Sequence, residues 1–332
     1  MKIGTFGAFM HDRIRTVSGD VFESLGGTLY NIAALAATTE PTDTILPFTY
    51  LSEEHLRQLE SGFFARFPRI DASNLRINPA GTDRNDLVYV TPSSRRECMT
   101  VTTPQYDEAF IAPAAQCDAV LVNFLTGTEM TLPVFRKLRK FVKGIVYFDL
   151  HNLGKLRKDG IPVPGHRFND WEQWLRNVDI VQANEWEVER LLDVHPKTER
   201  EFRDCALRFL QAEGPSIVNI TLGGAGCAMA WREAGRMRFV RIPAMDDVPI
   251  VDTTGCGDCF SSGFLAEYLR TKDPLRSALF AAAMSGLNCR VKGLDALTRI
   301  TGVREAMHAA YDEFLRKIAG GWRGEDAEGI AP

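Results

Sequence analysis

In the stretch VDTTGCGDCFSSGFLAEYL, Val251 to Leu269, two glycines flank a small residue and an aspartate follows at once. Gly255, Cys256, Gly257 and Asp258 stand where an apolar-periodic segment begins. The pattern predicts a short strand ending near Val251, a glycine turn and then a helix. The first helical turn carries N–H groups with no acceptor inside the helix, and the dipole adds positive potential at that end. Glycines at 255 and 257 let the backbone approach an anion closely, and Cys256 is small enough not to obstruct it. A carboxylate in the same place repels an anion unless it has a chemical role. In phosphoryl transfer that role is to accept the proton of an attacking hydroxyl, while backbone N–H groups hold the charge of the migrating group. An acid that only complements the helix dipole is the plainer reading of a lone first-turn Asp. The glycine turn and the acid make sense together under the first reading.

Such a turn needs a scaffold, and strand-like and helix-like segments alternate along the chain. KIGTFGAF reads as a first strand, and GGTLYNIAALAAT (26–38) as a glycine turn entering a helix. Short apolar runs follow at DAVLVNFL (118–125), GIVYFDL (144–150), VDIVQAN (178–184) and SIVNITLGG (216–224), each with a helical candidate behind it. This predicts an α/β fold, doubly wound, with a mostly parallel central sheet flanked by helices. NDLVYVTPSSRRECMTVTT (85–103) breaks the rhythm with two β-rich arms around Pro92-Ser93-Ser94, a hairpin that would protrude as a flap. The expected organisation is a single domain over 1–320 with a small β lid from about 10–25 and 85–103. Residues 321–332, glycine-rich and polar, are expected to form a flexible tail.

With 332 residues, 45% hydrophobic and 25% charged, the chain has ample material for a core. A formal net charge of −4 gives no broad basic field, so nucleic acid is not the expected partner. No apolar run is long enough for a membrane span, and His11, Asp12 and Arg13 interrupt the start before a secretion signal could form. Seven scattered cysteines point to reduced thiols and a cytoplasmic location. Cys256 and Cys259 form a C-x-x-C, but within the turn they read as packing residues rather than a redox pair. GKLRKDG (154–160) reads as a solvated loop.

DTTGCGDCF (252–260) resembles the D-T-x-G-A-G-D-x-F signature of the ribokinase-like family, the phosphofructokinase B-type carbohydrate kinases, with Cys256 in place of the usual alanine. Other marks of that family stand in order. Asp12 matches its N-terminal sugar-contacting aspartate, and GGTLYNIA its G-G-x-x-x-N-x-A segment at Gly26, Gly27 and Asn31. ANEWEVERLL carries its N-x-x-E at Asn184 and Glu187, and TLGGAGCAM its nucleotide-side glycine segment at Thr221, Gly223 and Gly226. The resemblance spans Lys2 to about Lys317. It implies ATP with Mg²⁺ and phosphorylation of a hydroxymethyl group on a sugar or sugar derivative. Asp258 would be the base, and the Gly255, Cys256 and Gly257 amides the anion hole. Asp12, Gly26, Gly27 and Asn31 would hold the substrate; Asn184, Glu187, Thr221, Gly223 and Gly226 the nucleotide side. Glu187 would act on Mg²⁺ indirectly, and Asp252 and Thr254 match positions that hold a monovalent cation such as K⁺. A homodimer through the lid is a further implication.

The recognition end departs from the pattern. Met10 replaces an asparagine common two residues before the aspartate, TTEPTDTILPFTYLSEE replaces the usual R-L-G and G-x-D, and DLHNL (149–153) replaces D-P-N-x-R. Altered polar contacts change which hydroxyls are read. A nucleoside kinase of the same fold is therefore the near alternative, and a non-catalytic sugar- or nucleotide-binding protein the distant one. Neither a P-loop G-x-x-x-x-G-K-[ST] nor an early dinucleotide fingerprint is present.

Overall fold

The computed structural model describes residues 1–91, 94–163 and 168–327. Its strands in chain order are β1 (Lys2–Phe6), β2 (Phe9–Arg15), β3 (Val21–Gly27), β4 (Thr44–Leu51), β5 (Leu75–Ile77), β6 (Asp83–Thr91), β7 (Ser94–Thr100) and β8 (Ala119–Asn123). There follow β9 (Ile145–Asp149), β10 (Arg157–Lys158), β11 (Ile161–Pro162), β12 (Ile180–Asn184), β13 (Ile217–Thr221), β14 (Cys227–Glu233), β15 (Arg236–Ile242) and β16 (Glu325–Asp326). The central sheet runs β16-β15-β14-β13-β12-β9-β8-β1-β4-β5. From β5 to β13 every neighbouring pair is parallel, and the antiparallel β14, β15 and β16 complete one edge. The four central apolar runs of the sequence became β8, β9, β12 and β13, buried on both faces as a parallel sheet demands.

Two apolar cores lie on opposite sides of this sheet. One joins the helices Leu29–Thr38, Cys256–Thr271 and Pro274–Cys289 to side chains such as Ile3, Leu121 and Tyr147. The other collects Phe124, Phe135, Phe148 and Trp174. A separate sheet, ordered β3-β2-β6-β7, is formed by 9–27 and 83–100. Gly26 and Gly27, which the sequence put in a helix-entry turn, are the last residues of β3, so that motif bridges the small sheet and the Leu29 helix. The hairpin turn at Pro92 and Ser93 lies outside the described residues.

Three expectations are corrected. The segment before the glycine turn is not a strand: Pro249 has no N–H to pair, and the amides of Val251 and Asp252 donate instead to the Cys289 carbonyl at 2.7 and 3.3 Å. The tail does not begin at 321. β16 pairs with β15, Ala327 is buried, and the bare Gly324 lets Trp231 pack so close that a Cβ would come within 2.5 Å of its ring; residues 328–332 lie outside the described residues. The 154–160 loop is not simply solvated, because the Gly160 carbonyl accepts from Met99 of β7 at 3.0 Å and Lys155 pairs with Glu97 at 2.6 Å. Among the described residues no helix is long and apolar enough to cross a membrane.

Candidate active site

Consecutive parallel strands end in polar residues on one rim of the sheet: Asn123 on β8, Asp149 on β9, Asn184 on β12 and Thr221 on β13. The register sets Asn123 beside Asp149 and Asn184 beside Thr221. This is the carboxyl-end rim where open parallel sheets bind ligands. The glycine turn faces the same rim. Gly255, with φ of +77°, precedes the helix, and Cys256, Gly257 and Asp258 form its first turn.

Hydrogen bonds pin that turn from two sides. From the sheet, Asn123 Nδ2 donates to Asp258 Oδ1 at 2.7 Å, and Gln182 Nε2 donates to the Gly257 carbonyl at 3.0 Å. From the Pro274 helix, Ser285 Oγ donates to the Cys256 carbonyl at 2.5 Å and Asn288 Nδ2 to that of Thr254 at 2.9 Å. The Cys256 amide donates to the Thr253 carbonyl at 3.2 Å, so within the expected anion hole this one N–H is engaged locally. Gly257 is exposed.

Burial pushes the Asp258 carboxyl up to about 7, against the opposing effect of the Asn123 hydrogen bond. Asp149, almost wholly buried, is pushed well above the usual carboxylate range by desolvation and by the charges of Glu187 and Asp258. Glu187, also raised by burial to about 7, closes a capping box with Asn184. Its Oε2 accepts the Asn184 amide at 2.8 Å and its Oε1 the Asn184 Nδ2 at 2.7 Å.

Asn31 is fully buried, with Nδ2 close to the Asp258 carbonyl, Ser261 Oγ and Ser262 Oγ at 3.2, 3.0 and 3.3 Å, and its Oδ1 accepting from Asn123. It braces the base of the Asp258 helix. Asp12 lies on β2 over Gly26, where a Cβ would meet its Oδ2 at 2.7 Å. Gly27, with φ of +67°, leaves room for the Ala8 carbonyl. Asp252 Oδ1 accepts the Thr254 amide at 2.9 Å in the loop before the turn. Gly223 and Gly226 frame a short turn after β13, both at positive φ, and a Cβ on Gly226 would strike the Ile242 carbonyl at 2.1 Å. Thr221 Oγ1 donates to the Ala183 carbonyl at 3.4 Å.

Sequence reasoning missed Asn123 and Gln182, gave Asp149 no role beyond its place in DLHNL, and missed Tyr30. The first three end or nearly end strands, a position that could have flagged them. Tyr30 occupies a variable place in the G-G-x-x-x-N segment. Its ring would stand 2.4 Å from a Cβ on Gly255 and 3.2 Å from one on Gly26, wedged between the two motifs. Burial raises its hydroxyl pKa, and Asp252, Asp12 and Asp258 add to the rise, so acids from β2 and from the glycine-turn stretch converge on it.

The pfkB family carbohydrate kinase profile matches residues 156–300, the part of the chain that holds the Asn184, Thr221 and Asp258 motifs. A protein of Archaeoglobus fulgidus named as an uncharacterized sugar kinase is 34% identical over 204 residues, covering 59% of this chain and 72% of that protein. This chain belongs to the pfkB family of carbohydrate kinases. A ribokinase of Haemophilus influenzae is 29% identical over 185 residues, 55% of this pfkB kinase and 53% of the relative. The fold agrees over about nine-tenths of the chain. Arabidopsis thaliana ribokinase, solved with ribose and ATP, superposes with a TM-score of 0.71 at 19% identity, covering 92% of this kinase and 98% of that chain. A pyrophosphate-dependent kinase in the ribokinase family, solved with sulfate, gives 0.71 at 18% identity over 90% and 100%.

Proposed function

We propose that this carbohydrate kinase transfers a phosphoryl group from ATP to a hydroxymethyl group of a sugar or sugar derivative, with Asp258 as general base. One observation carries the reading: a carboxyl raised to about 7, at the first turn of a helix whose amides suit an anion. A base near neutrality accepts a hydroxyl proton during transfer and releases it afterwards at ordinary pH. The Gly255–Gly257 backbone would hold the charge of the migrating group, with the Cys256 amide turning from Thr253 to join it. Asp12, Gly26 and Gly27 would face the acceptor, and Asn31 would serve it by fixing the Asp258 helix. Asn184, Glu187, Thr221, Gly223 and Gly226 would line the donor side.

ATP with Mg²⁺ would supply the transferable group. The donor set suits Mg²⁺ through water: both Glu187 oxygens already hold Asn184, while the mutual repulsion of Asp149, Glu187 and Asp258 is relieved by a cation nearby. An oxygen-rich loop at Asp252 and Thr254 suits K⁺. Exposed Val21, Val88 and Val90 on one face of the small sheet support pairing of two copies through the lid, which sedimentation would test.

The acceptor is tested by measuring turnover across ribose, fructose, myo-inositol and nucleosides, with ATP and pyrophosphate as alternative donors. Turnover of a sugar with ATP is expected. Turnover of nucleosides alone establishes the nucleoside kinase, and tight ATP binding with every acceptor silent overturns catalysis.

Asn123→Ala tests the positioning of the base. It removes a hydrogen bond that lowers the Asp258 pKa. Bonds to charged groups contribute about 1.5–3 kcal/mol, roughly one to two pH units. The acidic limb of kcat/KM is expected to move upward by that amount; a limb that stays in place removes Asn123 from this role.

A further inference from the structure

The C-x-x-C of the turn does not pair with itself. Cys259 is fully buried in the core, whereas Cys256 meets Cys289, thirty-three residues later, with Sγ atoms 3.2 Å apart. Both are half-buried, so a small oxidant reaches them. All seven cysteines are free, and Cys117, Cys205, Cys227 and Cys259 are buried. We propose that Cys256 and Cys289 form a peroxide-sensitive thiol pair whose disulfide disables the anion-binding turn. The effect on catalysis rests on the function proposed above; the oxidation itself does not.

The surroundings align the two sulfurs. Asn288 Nδ2 points a donor at Cys256 Sγ from 3.3 Å, and Cys256 is the first residue of its helix. The two thiols share a hydrogen bond in which either sulfur can donate, so they already face each other. A Cys289 thiolate attacks one oxygen of hydrogen peroxide, breaking the O–O bond, forming a sulfenic acid and releasing hydroxide. Cys256 then attacks the sulfenic sulfur, its proton leaving with the displaced hydroxyl as water. The two sulfurs lose two electrons, the peroxide gains two, and the balance is two thiols and one peroxide to one disulfide and two waters.

The bond would act through displacement. A disulfide holds its sulfurs at about 2.05 Å, so the pair must close by roughly 1 Å. The Cys289 side is anchored, because its carbonyl already takes the amides of Val251 and Asp252. Cys256 is held as well, its carbonyl by Ser285 Oγ, so closing the gap strains the first turn, whose Cys256 amide belongs to the proposed anion hole. A misplacement of about 1 Å in such a site costs about 10²-fold in rate.

The test titrates the reduced full-length enzyme with hydrogen peroxide and follows intact mass, non-reducing peptide maps and turnover together. Expected are a loss of two hydrogens in mass, a linked peptide joining Cys256 to Cys289, and an activity fall of about 10²-fold that dithiothreitol reverses. Cys289→Ala should keep the reduced activity, form no link and resist the same peroxide dose; Cys289→Ser repeats the control if the alanine variant folds poorly. Oxidation confined to single cysteines without a link overturns the proposal, as does a fully linked enzyme that turns over normally. Should the reduced enzyme be silent on every acceptor, the kinase reading fails on its own. The pair is then judged by the linked peptide and by calorimetry with pyrophosphate, which must bind the linked form more weakly.

Discussion

Asp258→Asn is expected to lower turnover by about 10²–10⁴-fold while ATP affinity changes little. Asparagine keeps the shape and can still meet Asn123, but it cannot accept the hydroxyl proton. In the native enzyme kcat/KM should rise with pH through about 7, where the buried carboxyl ionises, and the variant should lose that limb. Stability separates this from misfolding. The folded carboxyl titrates near 7 against an ordinary value of 3.8, so between those values the folded state holds the extra proton. The contribution of this group to stability is therefore present at low pH and is lost as pH rises toward 7. Replacing it with a neutral amide should leave the melting temperature unchanged below about pH 4 and raise it above pH 7. Thermal melts across that range, beside single-turnover assays, check both parts. Normal turnover in the variant would remove the assigned base.

The alternation of apolar runs was enough to read the sheet, because strands buried on both faces carry few polar residues to blur the pattern. β8, β9, β12 and β13 came out within two or three residues of their predicted limits. The segment at 250–251 misled for the opposite reason. Ile250 and Val251 look strand-like, yet they are exposed, and their chain leans on the end of a helix 38 residues later. Local propensity carries no trace of that partner. The same limit hid the thiol pair: C-x-x-C spacing advertised Cys259, whereas packing of the Cys256 and Pro274 helices supplied Cys289. Asn123 and Gln182 stayed unremarked, and Asp149 was noted only within DLHNL, because a polar residue at a strand end has no distinguishing sequence mark. They gain meaning only when the register sets them beside one another. Asn31 was singled out by its motif, whereas its full burial against the Asp258 helix, which makes it a brace, left no mark in the sequence.

Gly255→Ala is expected to cost about as much activity as loss of a positioned anion-hole donor, roughly 10²–10³-fold. Two penalties act at once. The backbone there has φ of +77°, a conformation that costs a residue with a Cβ about 1–2 kcal/mol. The new methyl would also stand 2.4 Å from Tyr30 Cδ1, deep inside contact distance. Tyr30 has little room to yield, since its opposite edge lies against Gly26. The turn must shift instead, and its amides with it. Adding Tyr30→Ala separates the two penalties. It removes the clash but not the backbone strain, so the double variant should recover part of the lost rate and never all of it. The coupling is read by comparing kcat of the two single variants, the double variant and the native enzyme. Strict additivity would mean that the ring and the turn act independently. Positive coupling confined to kcat would mean that Tyr30 sets the position of the anion hole, and through it the spacing between the base and the group it serves.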